Sequence, residues 1–230
     1  MKSASTMVPT PTRAAPRGAR MLLALAAAAL AAGCASAPDR YYTLAEPVAA
    51  TIPGAAGAAG AAGPVPASGL FIDIAPVAMP ERLARPQLVV SRTGMPGAEV
   101  ALLEQHRWTS SFESELRDAL AAGIATRLGA TDVTKGARLA GAPVWRVAVR
   151  LQRLDLIEDQ RADAAFSWTV RRADAERGTA CRWSGTEAVA GGGIEALALG
   201  ARHLTGRVST QIARHVQALQ ADPAAACPGA

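Results

Sequence analysis

The stretch Val144-Trp-Arg-Val-Ala-Val-Arg-Leu-Gln-Arg-Leu-Asp-Leu156 alternates apolar and polar residues with the period of a strand. Successive side chains of an extended chain point to opposite faces. Trp145, Val147, Val149 and Leu151 therefore share one face, and Arg146, Arg150 and Gln152 share the other. Such a strand is half buried, with an apolar layer on one side and water on the other. Whatever this chain folds into must supply that layer.

The neighbouring segments supply it. Leu70 to Val77 is a short apolar run closed by proline and reads as a buried strand. Gln87 to Arg92 and Glu99 to Leu103, separated by Gly94-Met-Pro-Gly97, read as a hairpin with a longer turn. Ala165 to Arg172 and Ala180 to Ala190, with Ala173 to Gly178 between them, read as two further strands, and Trp168 and Trp183 as their core or cross-strand residues. Phe112, Leu116, Ala119, Leu120, Ile124 and Leu128 recur at helical intervals. Ser110 and Glu113 have capping-box spacing ahead of them, and Gly129 stands where a helix C-cap is expected. A second amphipathic helix carries Leu197, Leu204, Val208, Ile212, Val216 and Leu219, is interrupted by Gly200 and Gly206, and stops at Asp222-Pro223. Its other face mixes both signs of charge, so its apolar stripe is expected to pack on the domain's own sheet rather than on a membrane. The expectation is a single α/β (α+β) domain, a mixed β-sheet with two main amphipathic helices packed against it.

The first part of the chain does not belong to that domain. Residues 1–20 carry Lys2, Arg13, Arg17 and Arg20 and no acid, and lead into an apolar Leu/Ala run from Met21 to Ala32. Twelve helical residues rise only ~18 Å, too little for a ~30 Å hydrocarbon core, so the run reads as the h-region of an export signal. It ends Ala31-Ala32-Gly33-Cys34, which resembles a bacterial lipobox, with Ala31 where leucine is usual. That resemblance implies signal-peptidase cleavage between Gly33 and Cys34, acylation of the Cys34 thiol and anchoring by several acyl chains, each buried CH₂ adding ~0.8 kcal/mol. By resemblance to other lipoproteins, Ala35 rather than Asp after the cysteine implies delivery to the outer membrane.

Residues 1–33 are thus a lipoprotein signal peptide, 34–39 a lipid-anchored tether, 40–222 the folded domain and 223–230 a C-terminal tail. Within the domain, residues 51–68 form a Gly/Ala-rich stretch read as a flexible loop. Its glycines recur every third residue, but too briefly and with too little proline for a collagen helix.

Removing the signal also removes four of the 24 basic residues, leaving 20 against 19 acids, so the basic excess of the precursor is no sign of nucleic acid. Basic clusters with interleaved aromatics are missing as well. Cys181 and Cys227 remain after Cys34, in a compartment that permits oxidation; they either form a disulfide or stay two free thiols.

Catalytic constellations are not found. His106 stands alone, and His203 and His215, twelve residues apart on one helix, lie ~18 Å apart and cannot share a metal. Ser184-Gly185 lacks the frame of a nucleophile elbow, and there is no phosphate-binding loop. Asp155, Glu158, Asp159 and Asp163 lack calcium-loop spacing. No catalytic residue, metal site or cofactor is expected, and the chain is read as a protein that is not an enzyme.

Arg40-Tyr-Tyr-Thr-Leu44 close behind the cysteine, Ile74-Ala-Pro-Val-Ala-Met-Pro-Glu-Arg-Leu-Ala-Arg-Pro-Gln-Leu-Val-Val90, and His106-Arg-Trp108 ahead of a helix together resemble the ABC-type transport auxiliary lipoproteins, the PqiC family. The resemblance spans the mature chain, with Met79 and Ala84 departing from the usual pattern. It implies a periplasmic, lipid-anchored subunit of an MCE-type intermembrane lipid transport system that contributes to outer-membrane integrity by protein–protein docking, with an MCE-domain protein as partner. Tyr41, Tyr42, Pro80, Glu81, Arg85, Pro86 and Gln87 are the candidate partner contacts, and Trp108 is read as a wedge under the helix start. The competing reading is an outer-membrane assembly or envelope scaffold lipoprotein with no part in transport.

Overall fold

The alternating strand is the spine of the domain. In the computed structural model, which describes residues 38–46, 69–92, 99–136, 143–176, 178–189 and 191–229, it runs from Val144 to Ile157. In chain order the strands are β1 (Arg40–Tyr42), β2 (Phe71–Ile74), β3 (Gln87–Val90), β4 (Ala101–Trp108), β5 (Thr131–Asp132), β6 (Val144–Ile157), β7 (Arg161–Arg172) and β8 (Thr179–Ala188). They form a five-stranded sheet ordered β5-β2-β6-β7-β8 and a three-stranded sheet ordered β1-β4-β3. The signal segment, Cys34, residues 51–68 and the turn at 94–97 lie outside the described residues.

The length of β6 explains why there are two sheets rather than one. Its first half pairs in parallel with β2, Ile72 opposite Trp145 and Ile74 opposite Val147. The chain follows β6 as far as an Ala78–Arg150 bridge, turns away, and returns as β3, where Ser91 bridges Ile157 at the far end. Ser91 N–H donates to Leu156 O at 2.8 Å, and Glu158 N–H to Ser91 O at 2.9 Å. Between these two contacts the β6–β7 register shifts, between Leu151 and Arg153. A bulge there bends the strand and increases its twist, which turns its second half toward the small sheet.

Both helices lie on the inner face. Helix α1 (Phe112–Leu128) starts at Ser111, whose Oγ accepts the Ser114 N–H at 3.2 Å, one residue later than the spacing predicts. Glu113 does not close a capping box because its carboxylate accepts the Val77 N–H at 2.8 Å. Gly129 ends α1 with φ 60°, as its position predicts. Helix α2 (Gly193–Ala221) buries Leu197, Leu204, Val208, Ile212, Val216 and Leu219, the predicted stripe. Each such aliphatic side chain contributes about 1.5–3 kcal/mol relative to exposure. Gly123 lets α1 approach α2, since a methyl there would stand 2.9 Å from Ser209 Oγ.

His215 is fully buried within α2, where Trp168 Nε1–H donates to its Nδ1 at 3.0 Å. Burial lowers its pKa. The imidazole therefore stays neutral when folded, while the unfolded chain takes up a proton below its ordinary pKa of about 6.5. Its stabilisation is complete above that value and is lost as pH falls toward the depressed folded value. Urea midpoints should fall between pH 7 and pH 5.5 in the wild type and fall less in His215→Gln, which keeps an acceptor for Trp168 but does not titrate. Parallel profiles for the two proteins would refute this assignment.

Candidate functional site

The first described strand is built into the body of the domain. β1 pairs in parallel with β4, Arg40 opposite His106, Tyr41 opposite Arg107 and Tyr42 opposite Trp108. Alternation then separates the two tyrosines. Tyr42 turns inward, its Oη 2.8 Å from His106 Nδ1 and its ring stacked on the imidazole at 5.8 Å between centroids. Burial raises the Tyr42 pKa, against the opposing pull of Arg40, so the phenol stays protonated at neutral pH. Tyr41 turns outward and is 59% exposed. Trp108 is buried, its ring 5.1 Å from that of Phe112 at the start of α1.

A single carboxylate locks the chain that follows β1. Glu115, buried in the first turn of α1, accepts the Leu44 N–H at 2.8 Å, the Thr109 hydroxyl at 2.5 Å and the Thr43 hydroxyl. A carboxylate in this turn also lies at the positive end of the helix dipole. Two residues on, Glu46 reaches Arg127 Nη2 at 3.0 Å, and Arg127 Nε reaches Thr210 Oγ1 of α2 at 2.8 Å. Gly206 leaves room for this link, since a methyl there would stand 2.5 Å from Glu46 Oε1. The segment from Thr43 to Glu46 is thereby tied to both helices.

The residues expected to meet a partner fall in two places. Glu81 and Arg85 are exposed around a single 3₁₀ turn, Glu81–Leu83, that follows the half-buried Pro80 and is pinned by buried Leu83. Pro86 and Gln87 lie against β4: Pro86 O accepts the Trp108 N–H at 2.7 Å, and Gln87 is opposite Arg107. Tyr41, Arg107 and Gln87 therefore form one row across the small sheet. Gln87 Nε2 donates to Glu104 Oε2 at 3.2 Å, and Arg107 Nε donates to Glu104 O at 2.7 Å, so both polar side chains gather around Glu104. Arg107 and Glu104 are not among the residues predicted from sequence. A three-residue step in the β3–β4 register, between Gln87 and Leu88, brings them there, and nothing in the local sequence marks it.

Beside this row, β1 and α2 enclose an open groove of ≈ 420 Å³ lined by Arg40, Tyr41, Tyr42, Glu195, Leu199 and Arg202. Its exposed tyrosine and leucine sit between charges of both signs. Several titratable groups elsewhere are held in structural pairs. His203 Nδ1 lies 3.1 Å from Glu187, and Asp155, Glu158 and Asp163 of the acidic cluster pair with Arg82, Arg92 and Arg161. Among the described residues no group of His, Cys, Asp and Glu could hold a metal, and no helix is long and apolar enough to cross a membrane.

Two solved structures share this fold. A crystal structure of an uncharacterized protein superposes with a TM-score of 0.59 at 15% identity, covering 78% of this chain and 99% of its own. That of protein XCC0632 from Xanthomonas campestris gives 0.50 at 11% identity, covering 82% and 91%. No curated protein matches the sequence. The family model described as ABC-type transport auxiliary lipoprotein component matches residues 42–213, from the inward tyrosine of β1 to the last third of α2. The chain belongs to that family of auxiliary lipoproteins of ABC-type transport systems.

Proposed function

We propose that this protein is a non-enzymatic periplasmic subunit of an MCE-type intermembrane lipid transport system, held at the outer membrane by acyl chains on Cys34 and docked to an MCE-domain protein. The carrying observation is the lock at Glu115. From Cys34 to Arg40, where β1 begins, the chain reaches at most about 20 Å, and Thr43 and Leu44 are then bound to the Glu115 carboxylate. A domain tethered so briefly and gripped so soon after its anchor is held at a fixed height above the leaflet. That raises the effective concentration of the Tyr41–Arg107–Gln87 row toward a partner arriving from the other membrane.

Acyl labelling of the wild type and Cys34→Ala, followed by envelope cross-linking and mass spectrometry, tests this reading. Label on the wild type alone, with an MCE-domain protein among its cross-linked partners, is the expected result. A barrel protein or peptidoglycan without any MCE-domain protein would replace it with envelope scaffolding. A long flexible insertion after Ala37 should weaken outer-membrane integrity, read as detergent sensitivity of cells, and leave the urea unfolding curve unchanged. Full integrity in that strain would refute the fixed-height mechanism.

A further inference from the structure

The outer face of the five-stranded sheet, opposite the helices, carries a patterned set of arginines that the docking row does not use. Arg146 on β6 is directly opposite Arg171 on β7. Two steps along, Ala148, Thr169 and Ala180 form a row of small residues across β6, β7 and β8. Two steps further, Arg150 and Arg182 flank Ser167. The face is thus a floor of small side chains with cations at both ends.

Like charges directly opposite each other across a sheet are destabilising. The neighbours relieve this only in part. Arg146 is ion-paired with Asp73, Nε to Oδ2 at 3.6 Å, but that Nε is itself buried without a hydrogen-bond acceptor. Arg171 Nη1 donates to Ala175 O at 3.1 Å, and Arg117 spends its guanidinium on Ile74 O at 2.7 and 2.9 Å. Arg150 and Arg182 are exposed and form no ion pair among the described residues.

We infer that this face is a second docking surface, which takes an extended acidic segment of a protein partner across the Ala148–Thr169–Ala180 floor. Geometry favours a strand-like segment. Arg146 and Arg150, four residues apart on β6, are ~13 Å apart, and the Arg150–Ser167–Arg182 row spans two strand spacings, ~10 Å. Carboxylates four residues apart on one side of an extended chain repeat at the same ~13 Å. The Arg146–Arg171 end is recessed: a groove of ≈ 560 Å³ over Ala148 and Thr169 is lined there by Asp73, Pro76, Arg146 and Arg171, and by Arg117 reaching past the end of β2. A flat bilayer surface would not follow this recess. The exposed large apolar residues Tyr41, Val100, Leu102 and Leu199 lie elsewhere, so among the described residues the face presents no large apolar side chain to lipid.

The test uses the full-length lipidated protein in neutral detergent micelles, titrated with a fluorescent poly-glutamate peptide and, separately, with short-chain phosphatidylglycerol. Arg150→Gln/Arg182→Gln is the first variant, because both side chains are exposed and unpaired; Arg146→Gln is the second. Binding of poly-glutamate should weaken at least tenfold in the first variant and also in high salt, with unchanged unfolding curves, while any phosphatidylglycerol binding is the same in wild type and variant. Arginine-dependent binding of phosphatidylglycerol in preference to the peptide would assign the face to the membrane instead. Peptide affinity indifferent to both variants would overturn the inference. In cells, a photo-cross-linker at Ser167 should capture a segment rich in Asp and Glu, and the loss of that product in Arg150→Gln/Arg182→Gln is required. Identification of the captured protein separates this result from the transport reading: an acidic segment outside any MCE system would keep the site and leave the transport reading to its own cross-linking test.

Discussion

Glu115→Ala is expected to destabilise the domain by about 3 kcal/mol, because it removes hydrogen bonds to a charged acceptor and leaves a buried N–H without a partner. The carboxylate accepts from Leu44 and Thr43, which follow β1, and from Thr109, which follows its parallel partner β4. Glu115→Gln retains one acceptor oxygen and should lose less. Urea denaturation measures the size of the effect, and limited proteolysis locates it: cleavage near Thr43 to Glu46 should accelerate in Glu115→Ala well before the rest of the domain is attacked. A loss below 1 kcal/mol would show that these groups are served by water and that the lock is an incidental contact. The same variant bears on the proposed mechanism, because without the lock β1 is held chiefly by its pairing with β4, and fraying of that short strand would lengthen the proposed tether. Its effect on outer-membrane integrity should therefore resemble that of the insertion after Ala37.

The lock also shows where sequence ceases to be a guide. Both helices and most strands are legible because their signals are local: Phe112, Leu116, Leu120, Ile124 and Leu128 at one helical face, Val147, Val149 and Leu151 at one strand face, and Gly129 at φ 60°. Strand ends were less so. β4 continues to Trp108 because β1 and Pro86 pair with its last residues, and those partners are distant in the chain. Ser110 and Ser111 are both competent caps, and the choice between them depends on Glu113 being drawn away by Val77 N–H.

The functional surfaces are less legible still. Arg146 and Arg150 are visibly on one face of a strand, but their significance comes from Arg171 and Arg182, which register alone brings alongside. The Tyr41–Arg107–Gln87 row depends on a parallel pairing and on a three-residue register step. Periodicity reports which face a residue occupies and is silent on which strand lies beside it.

Breaking the Cys181–Cys227 bond is expected to have the largest effect of any change outside the main core. The disulfide joins buried Cys181 on β8 to the tail beyond α2, across 46 residues that contain the whole of that helix. Closing a loop of that length stabilises by about 4 kcal/mol in the chain-entropy model. Cys227→Ala should cost about that much. Cys181→Ala should cost slightly more, because it also leaves a small cavity beside His215, whose ring nitrogens stand 3.5 and 3.6 Å from Cys181 Sγ. The double variant should be no less stable than Cys181→Ala, since either substitution alone removes the same bond. Dithiothreitol should shift the urea midpoint of the wild type toward that of Cys227→Ala and leave the variant where it is. A wild-type midpoint indifferent to reductant would show that the two sulfurs are not joined in solution. Among the described residues β8 is an edge strand beside β7, and the bond holds the tail beside its first residues at Ala180. Reduction should therefore speed amide exchange in residues 222–229 and in the α2 turn before them, while the β6–β7 pair remains protected.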